Sequence, residues 1–321
     1  MATGPAADGP ADPTYRSYTP SQAATYAQHR PSPPPALVKL ILDHHATTGG
    51  QTGVLLDVGC GPGLATRAFS KHFDVAVGSD AGDSMIQIAT ELGGQTARGE
   101  PIRWVAYSAE EINKVPGVEK GSVDLVTAAY AAHWFDMPKF WAAAAEIMKP
   151  GGTVALWTGF RKVVESTTTQ ESKVRALFSR FHEEVLDAYS VPNTKISRDG
   201  YKDLVMPWDN AATVGLFDRD TFLRRELDRA ELAPGDTAKA VAADPLAAPV
   251  WQRVENFLNT MDAVTRWREA HPDLAGTERD CVRVLVTDTM EAVADGQAKI
   301  EFRNLLLGMK TVLLCVKRVA E

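Results

Sequence analysis

The chain of 321 residues has few cysteines, few cations and no long apolar runs. Its three cysteines, Cys60, Cys281 and Cys315, are too few and too scattered for a disulfide framework or a zinc site. They point to a reducing, intracellular setting, with the cytoplasm as the expectation. Lys and Arg number 34 against 41 Asp and Glu, a formal net charge of -7. Such a balance argues against a nucleic-acid partner, which needs a basic face, and no basic-aromatic interleaving compensates for it. No run approaches the roughly 18 apolar residues of a membrane helix, so no membrane partner is expected. Residues 1–13 carry no apolar leader segment and read as a disordered tail. A phosphate-cradling G-K-[ST] turn, a G-x-S-x-G nucleophile elbow, a metal-ligand constellation and internal repeats are all missing.

What is present is organised around Val54-Leu55-Leu56-Asp57-Val58-Gly59-Cys60-Gly61-Pro62-Gly63. Apolar residues fill four of the five positions from Val54 to Val58, which predicts a short buried strand. Gly59, Gly61 and Gly63 make a turn whose backbone can come close to a ligand. A helix then starts at Leu64. Strand, glycine turn and helix open a nucleotide-binding α/β domain, with its ligand beyond the carboxyl end of the strand. The spacing disfavours a dinucleotide, because G-x-G-x-x-G from Gly59 needs Gly or Ala where this chain has Leu64. Asp57 would also set like charge against a pyrophosphate. A ligand bearing an ammonium and a sulfonium and no phosphate suits that carboxylate, and S-adenosylmethionine is such a ligand.

Four more β-units follow in order. Strands are predicted at 74–80, 102–106, 122–129 and 153–157, alternating with helices, which argues for a parallel, doubly wound sheet. The second strand ends in Asp80, about 20 residues past the glycine turn, where a carboxylate can accept both ribose hydroxyls. Asp83 or Ser84 is expected to cap the helix over 83–92. The fourth strand runs into Tyr130-Ala131-Ala132-His133-Trp134-Phe135-Asp136, a dense aromatic cluster whose π-faces would favour a sulfonium cation. Asp136 is expected to cap the next helix. Upstream, a helix is predicted from the prolines at 33–35 to Gly49-Gly50. From 161 to 297 the pattern turns helical, with helices expected at 170–190, 220–230, 248–268 and 277–293. That stretch is too long for a loop and reads as an inserted helical cap. Strands at 300–305 and 312–316 close the chain.

The run Leu56 to Gly63 resembles the signature of class I S-adenosylmethionine-dependent methyltransferases. Tyr26-Ala27-Gln28-His29-Arg30-Pro31 and His133-Trp134-Phe135-Asp136 resemble the branch that includes trans-aconitate methyltransferases and their fungal relatives. So, loosely, do Tyr201 to Trp208 and Trp267 with its neighbours. The Lys149-Pro150-Gly151-Gly152 turn is another feature of that family. The resemblance implies a seven-stranded, mostly parallel sheet completed by an antiparallel strand, with a helical substrate cap. It divides the chain into a tail (1–13), a cofactor-binding core with an N-terminal lid (14–160), a cap (161–297) and the final strands (298–321). Cofactor contacts are implied for Asp57, Gly59, Gly61, Gly63, Asp80, Met85 against the adenine, Ser108 and Ala109 around its rim, and Tyr26 and Arg30 from the lid. Ser108 stands where an Asp is more usual, which favours the Ala109 backbone for that contact.

Methyl transfer to a small-molecule acceptor is the activity implied, with a carboxylic acid or a polar secondary metabolite as the substrate class. Tyr15, Trp134, Trp208 and Arg303 are the substrate-side candidates. A carboxylate acceptor needs no base and would be held by an arginine, Arg30 or Arg303. A hydroxyl, amine or carbon acceptor would need His133 or Tyr26 to remove a proton. Three other readings stay open from sequence: a non-catalytic cofactor-binding protein, the same fold recruited for a non-methylating reaction, and a nicotinamide-dependent reductase. Asp57 and Leu64 weigh against the last.

Overall fold

The computed structural model describes residues 15–161, 169–232, 250–294 and 309–320. Seven strands form one sheet in the order β3-β2-β1-β4-β5-β7-β6. They are β1 (Val54–Val58), β2 (Val75–Asp80), β3 (Arg103–Ala106), β4 (Val123–Ala129), β5 (Met148–Arg161), β6 (Phe217–Asp228) and β7 (Met309–Arg318). β1 to β5 are parallel, while β7 runs antiparallel to both β5 and β6.

The apolar runs read as buried strands are buried on both faces, as parallel sheets require. Successive residues of one strand point to opposite sides. Leu56, Val126, Val154 and Leu314 join the core beneath α5 (Met137–Ile147), with Phe140 and Trp141. Their neighbours Leu55, Leu125, Ala155 and Leu313 join the core beneath α2 (Pro35–Thr47) and α3 (Leu64–Ser70). α2 and α5 match the expected helices, and the Asp136 side chain caps α5 by accepting from the Lys139 amide. α4 (Asp83–Leu92) also forms where expected. Its N-cap is Gly82, however, which has no side chain to cap with, and Asp83 and Ser84 fall inside the first turn.

The segment 161–297 is not wholly a helical insertion. Residues 217–228, where a helix over 220–230 capped at Asp220-Thr221 was expected, are the outer strand β6. The spacing of four between Leu223 and Leu227 suits one helix face. It equally suits one strand face, where i, i+2 and i+4 align, and both side chains pack on the α2–α3 side of the sheet. The charged Arg224, Arg225 and Glu226 are what an edge strand tolerates. β7 has β5 on one side and β6 on the other, and Ile300–Leu305 lies outside the described residues. One turn, α8 (Arg229–Leu232), follows β6.

The remaining helices do build a second core. α6 (Thr169–Arg180) continues through Phe181–Val185, and α9 (Val250–Leu258), α10 (Asp262–Ala270) and α11 (Cys281–Ala294) pack on it. Val174, Phe178, Phe181, Leu258, Val264, Trp267, Val282 and Leu285 are buried together, with Trp251 against them. Trp251 and Trp267 are thus cap-core residues. α11 starts at Cys281 rather than at 277, because the Asp280 carboxylate caps it at the Val282 amide. The helix expected over 248–268 breaks at Thr260-Met261, and α7 (Pro192–Arg198) was not foreseen. No helix among the described residues is long and apolar enough to cross a membrane.

Leu285→Ala tests whether this second cluster is a true core. The expected loss is about 2–5 kcal/mol by chemical denaturation; a cost below that of a surface substitution would mean the helices are only loosely associated.

Candidate functional site

The glycine turn leaves β1 at its carboxyl end. Gly59 and Gly61 both have positive φ, at 63° and 54°. A Cβ at Gly59 would lie 2.6 Å from the Ala131 Cβ, so the turn packs directly on the end of β4. A Cβ at Gly61 would meet nothing within 4 Å, so that side of the turn is open to a ligand. The turn is held from below by Asp57. Its Oδ1 accepts from the Thr127 hydroxyl on β4 and its Oδ2 from the Thr66 hydroxyl on α3, both at 2.6 Å. The side chain is fully buried. This corrects the sequence expectation, which aimed that carboxylate at a cationic ligand: Asp57 faces inward and braces the turn. Burial pushes its pKa up to about 6, against the two hydroxyl bonds and with the nearby charge of Asp80.

Asp80 closes the turn from the end of β2. Its Oδ2 accepts from the Gly61 amide and its Oδ1 from the Gly82 amide, each at 2.8 Å. One carboxylate therefore ties the β1–α3 turn to the β2–α4 turn. Burial raises its pKa, while those amides and the charge of Arg16 oppose the rise. After β3, Ser108 and Ala109 begin a short 3-10 turn, Ala109–Lys114, with Ala109 buried. Glu110 there accepts from the Asp136 amide at 2.8 Å.

The N-terminal segment crosses above these turns. α1 (Pro20–His29) begins with a capping box in which Thr19 and Gln22 satisfy each other's amides. Ala23 and Tyr18 pack with Met85 and Ile88 of α4, flanked by Tyr15 and Tyr26. Met85 is thereby 2% exposed and carries the segment. The Tyr15 ring lies 5.1 Å from Tyr18, 5.9 Å from Tyr26 and 5.6 Å from Trp134. Arg30 stands over Tyr26 at 5.0 Å and over Phe257 of α9 at 4.8 Å. Its Nε donates to the Thr260 hydroxyl at 2.7 Å and its Nη2 to the Thr260 carbonyl at 3.1 Å. That carbonyl is free to accept because the helix has broken there.

His133 lies on the turn after β4, 7% exposed, with its ring 4.9 Å from Trp134. Its Nδ1 is 3.3 Å from the Tyr201 hydroxyl. Burial alone takes its pKa down to about 3. A continuous ring path therefore runs Tyr201, His133, Trp134, Tyr15, Tyr26, and ends on Arg30.

The structure thus gathers Gly59, Gly61, Gly63, Asp80, Met85, Ser108, Ala109, Tyr15, Tyr26, Arg30, His133 and Trp134 around the carboxyl ends of β1 to β4. Trp208 does not join them. Its ring packs on Phe222 of β6 at 5.0 Å with Arg219 above it at 5.4 Å, a contact of the sheet edge. Arg303 lies outside the described residues. Sequence reasoning missed Tyr201 and Thr260 as site neighbours. Neither stands in a periodic pattern; each is brought in by chain far away in sequence.

Residues 56–156 match the methyltransferase domain family. A Dictyostelium discoideum methyltransferase is 26% identical over 191 residues, 59% of this chain and 66% of that protein. The Pestalotiopsis fici methyltransferase ptaI is 30% identical over 48% of this chain and 47% of its own length. A Saccharomyces cerevisiae protein named as a probable S-adenosylmethionine-dependent methyltransferase is 30% identical over 42% of this chain and 45% of its own. The chain thus matches from about half to two thirds of the length of these relatives. An Anaeromyxobacter dehalogenans structure designated a type II methyltransferase superposes over 91% of this chain and 99% of its own, with a TM-score of 0.55 at 21% identity, and so shares the fold.

The buried Asp57 makes a pH prediction. With a folded pKa of about 6 against 3.8 for a free carboxyl, the folded chain keeps a proton that the unfolded chain has released. Its contribution to stability is therefore present at low pH and is lost as pH rises through about 6. His133 acts oppositely, since its folded value of about 3 against 6.5 removes stability as pH falls. Asp57→Asn separates the two. Relative to wild type, the variant should gain about 2–3 kcal/mol between about pH 4 and pH 7 in urea denaturation. A difference that does not change with pH would mean Asp57 titrates like a free carboxyl.

Proposed function

The chain carries a class I methyltransferase domain, and from that premise we propose that it transfers a methyl group from S-adenosylmethionine to a small-molecule acceptor. The observation that carries this reading is the open glycine turn at Gly61, closed by the Asp80 carboxylate and faced by an aromatic wall. When bound, the cofactor supplies a methyl group activated on a sulfonium, which a nucleophilic acceptor takes by in-line displacement. The residues of this chain bind, orient and exclude water.

In this reading the glycine-turn backbone approaches the cofactor closely and the Asp80 carboxylate accepts from the ribose hydroxyls. Met85 and the Ala109 backbone flank the base. Trp134 and Tyr15 present ring faces that favour a positively charged sulfur. The α1 segment, tied to the cap through Arg30 and Thr260, covers the site. Arg30 stands over Tyr26 at the end of that wall, and a carboxylate-bearing acceptor is the substrate class a guanidinium suits best. Two of its nitrogens are engaged by Thr260, and Nη1 makes no hydrogen bond with the described residues, so it can serve an anion. Trp208 and the cap core have no part in this scheme.

Two measurements test the proposal. Asp80→Ala should weaken S-adenosylmethionine binding by about 1.5–3 kcal/mol in calorimetry, the scale of hydrogen bonds to a charged group; unchanged affinity removes the ribose role. Transfer of a labelled methyl group to a panel of carboxylic acids, phenols, alcohols and amines should give a labelled product that mild base releases, as a methyl ester does. A base-stable product would place the acceptor in another class. Tight cofactor binding with no transfer to any of them would favour a non-catalytic or recruited fold.

A further inference from the structure

Tyr201 is held with unusual care for a loop residue. It is 2% exposed and has a φ of 56°, one of two positive values among the non-glycine residues described. A bulky residue there is strained, so its neighbours must over-determine it. They do. Arg224 of β6 donates to the Gly200 carbonyl at 2.6 Å and to the Tyr201 carbonyl at 3.5 Å. The Tyr201 amide donates to the Ile196 carbonyl at 3.0 Å. The Phe160 ring fills the space beside Gly200. All of this aims one phenol at the turn that carries His133.

The phenolic oxygen lies 3.3 Å from His133 Nδ1. The phenol is buried, and a buried O–H needs an acceptor. Among the described residues, His133 Nδ1 is the one partner within hydrogen-bond distance of the phenolic oxygen, and so the acceptor its proton finds. His133 Nε2 makes no hydrogen bond with the described residues and is not among their buried, unpartnered atoms.

We propose that Tyr201 is a positioning residue that keeps His133 bare at Nδ1 and protonated at Nε2, so that His133 serves the acceptor as a neutral hydrogen-bond donor and not as a base. The part concerning the acceptor rests on the methyl-transfer reading; the tautomer does not. Burial supports the neutral ring, since it disfavours the imidazolium. A site arranged in this way suits an acceptor whose nucleophilic oxygen is already deprotonated. The oxygen lone pair forms the new bond to the methyl carbon, the carbon–sulfur bond breaks with its pair going to sulfur, and no proton has to leave the acceptor. Alcohols and protonated amines, which must lose a proton, are poorly served.

The test is long-range proton–nitrogen correlation NMR on the isotopically labelled full chain. His133 is identified among the seven histidines by its absence from His133→Gln. The wild type should show the Nε2–H tautomer without titration between about pH 5 and 8. Tyr201→Phe should populate both tautomers. An Nδ1–H tautomer, a titration in that range, or no change in Tyr201→Phe overturns the assignment. These outcomes hold whether or not any acceptor is methylated, so they are separable from failure of the methyl-transfer reading. With an acceptor from the panel, His133→Gln, which keeps an N–H donor but has no basic nitrogen, should turn over at least about tenfold faster than His133→Ala. Equal loss in the two variants overturns the donor role.

Discussion

The site depends on a carboxylate that never reaches it. Asp57 is buried between the hydroxyls of Thr66 and Thr127, and so joins β1 to α3 and to β4. A charge placed there is costly, as its raised pKa records. The two short bonds offset part of that cost and fix the direction in which the chain leaves β1. Every later contact inherits that direction. Gly59 can press against Ala131, and the Gly61 amide can reach Asp80, because the strand end beneath them does not move.

From this anchor the site extends by rings rather than by charges. Tyr201, His133, Trp134, Tyr15 and Tyr26 stand in edge or tilted contact, each pair adding a modest energy beyond its buried area. The path begins in the sheet core and ends on Arg30, which clamps Thr260 at the break between α9 and α10. The N-terminal segment, the sheet and the cap are thus coupled through one aromatic line with one cation at its end. The proposed methyl transfer would use such a wall, because that reaction needs orientation and exclusion of water more than it needs a proton acceptor.

Much of this was legible beforehand. The run from Val54 to Gly63 predicts its strand, turn and helix without help from the rest of the chain, because buried parallel strands and positive-φ glycines leave local signatures. Asp80, at the end of the next strand, follows from the same logic. The helix expected over 220–230 is strand β6 instead, because the Leu223–Leu227 spacing fits either element and only pairing with β7 decides between them. Trp208 was assigned to the substrate because an aromatic residue in a loop carries no mark of what it will meet; in the fold it meets Phe222.

The sequence by itself determined the doubly wound order of strands and helices and the glycine turn. These depend on contacts between near neighbours and on periodicity. Tertiary structure alone decided that Asp57 turns inward, that Arg30 is held by Thr260 and that Tyr201 governs His133. Each of those contacts joins residues 68 or more positions apart or hangs on a burial that no local pattern encodes. The hydrogen-bonding capacity of a side chain is written in its chemistry, but the partner that takes it up is supplied by the fold.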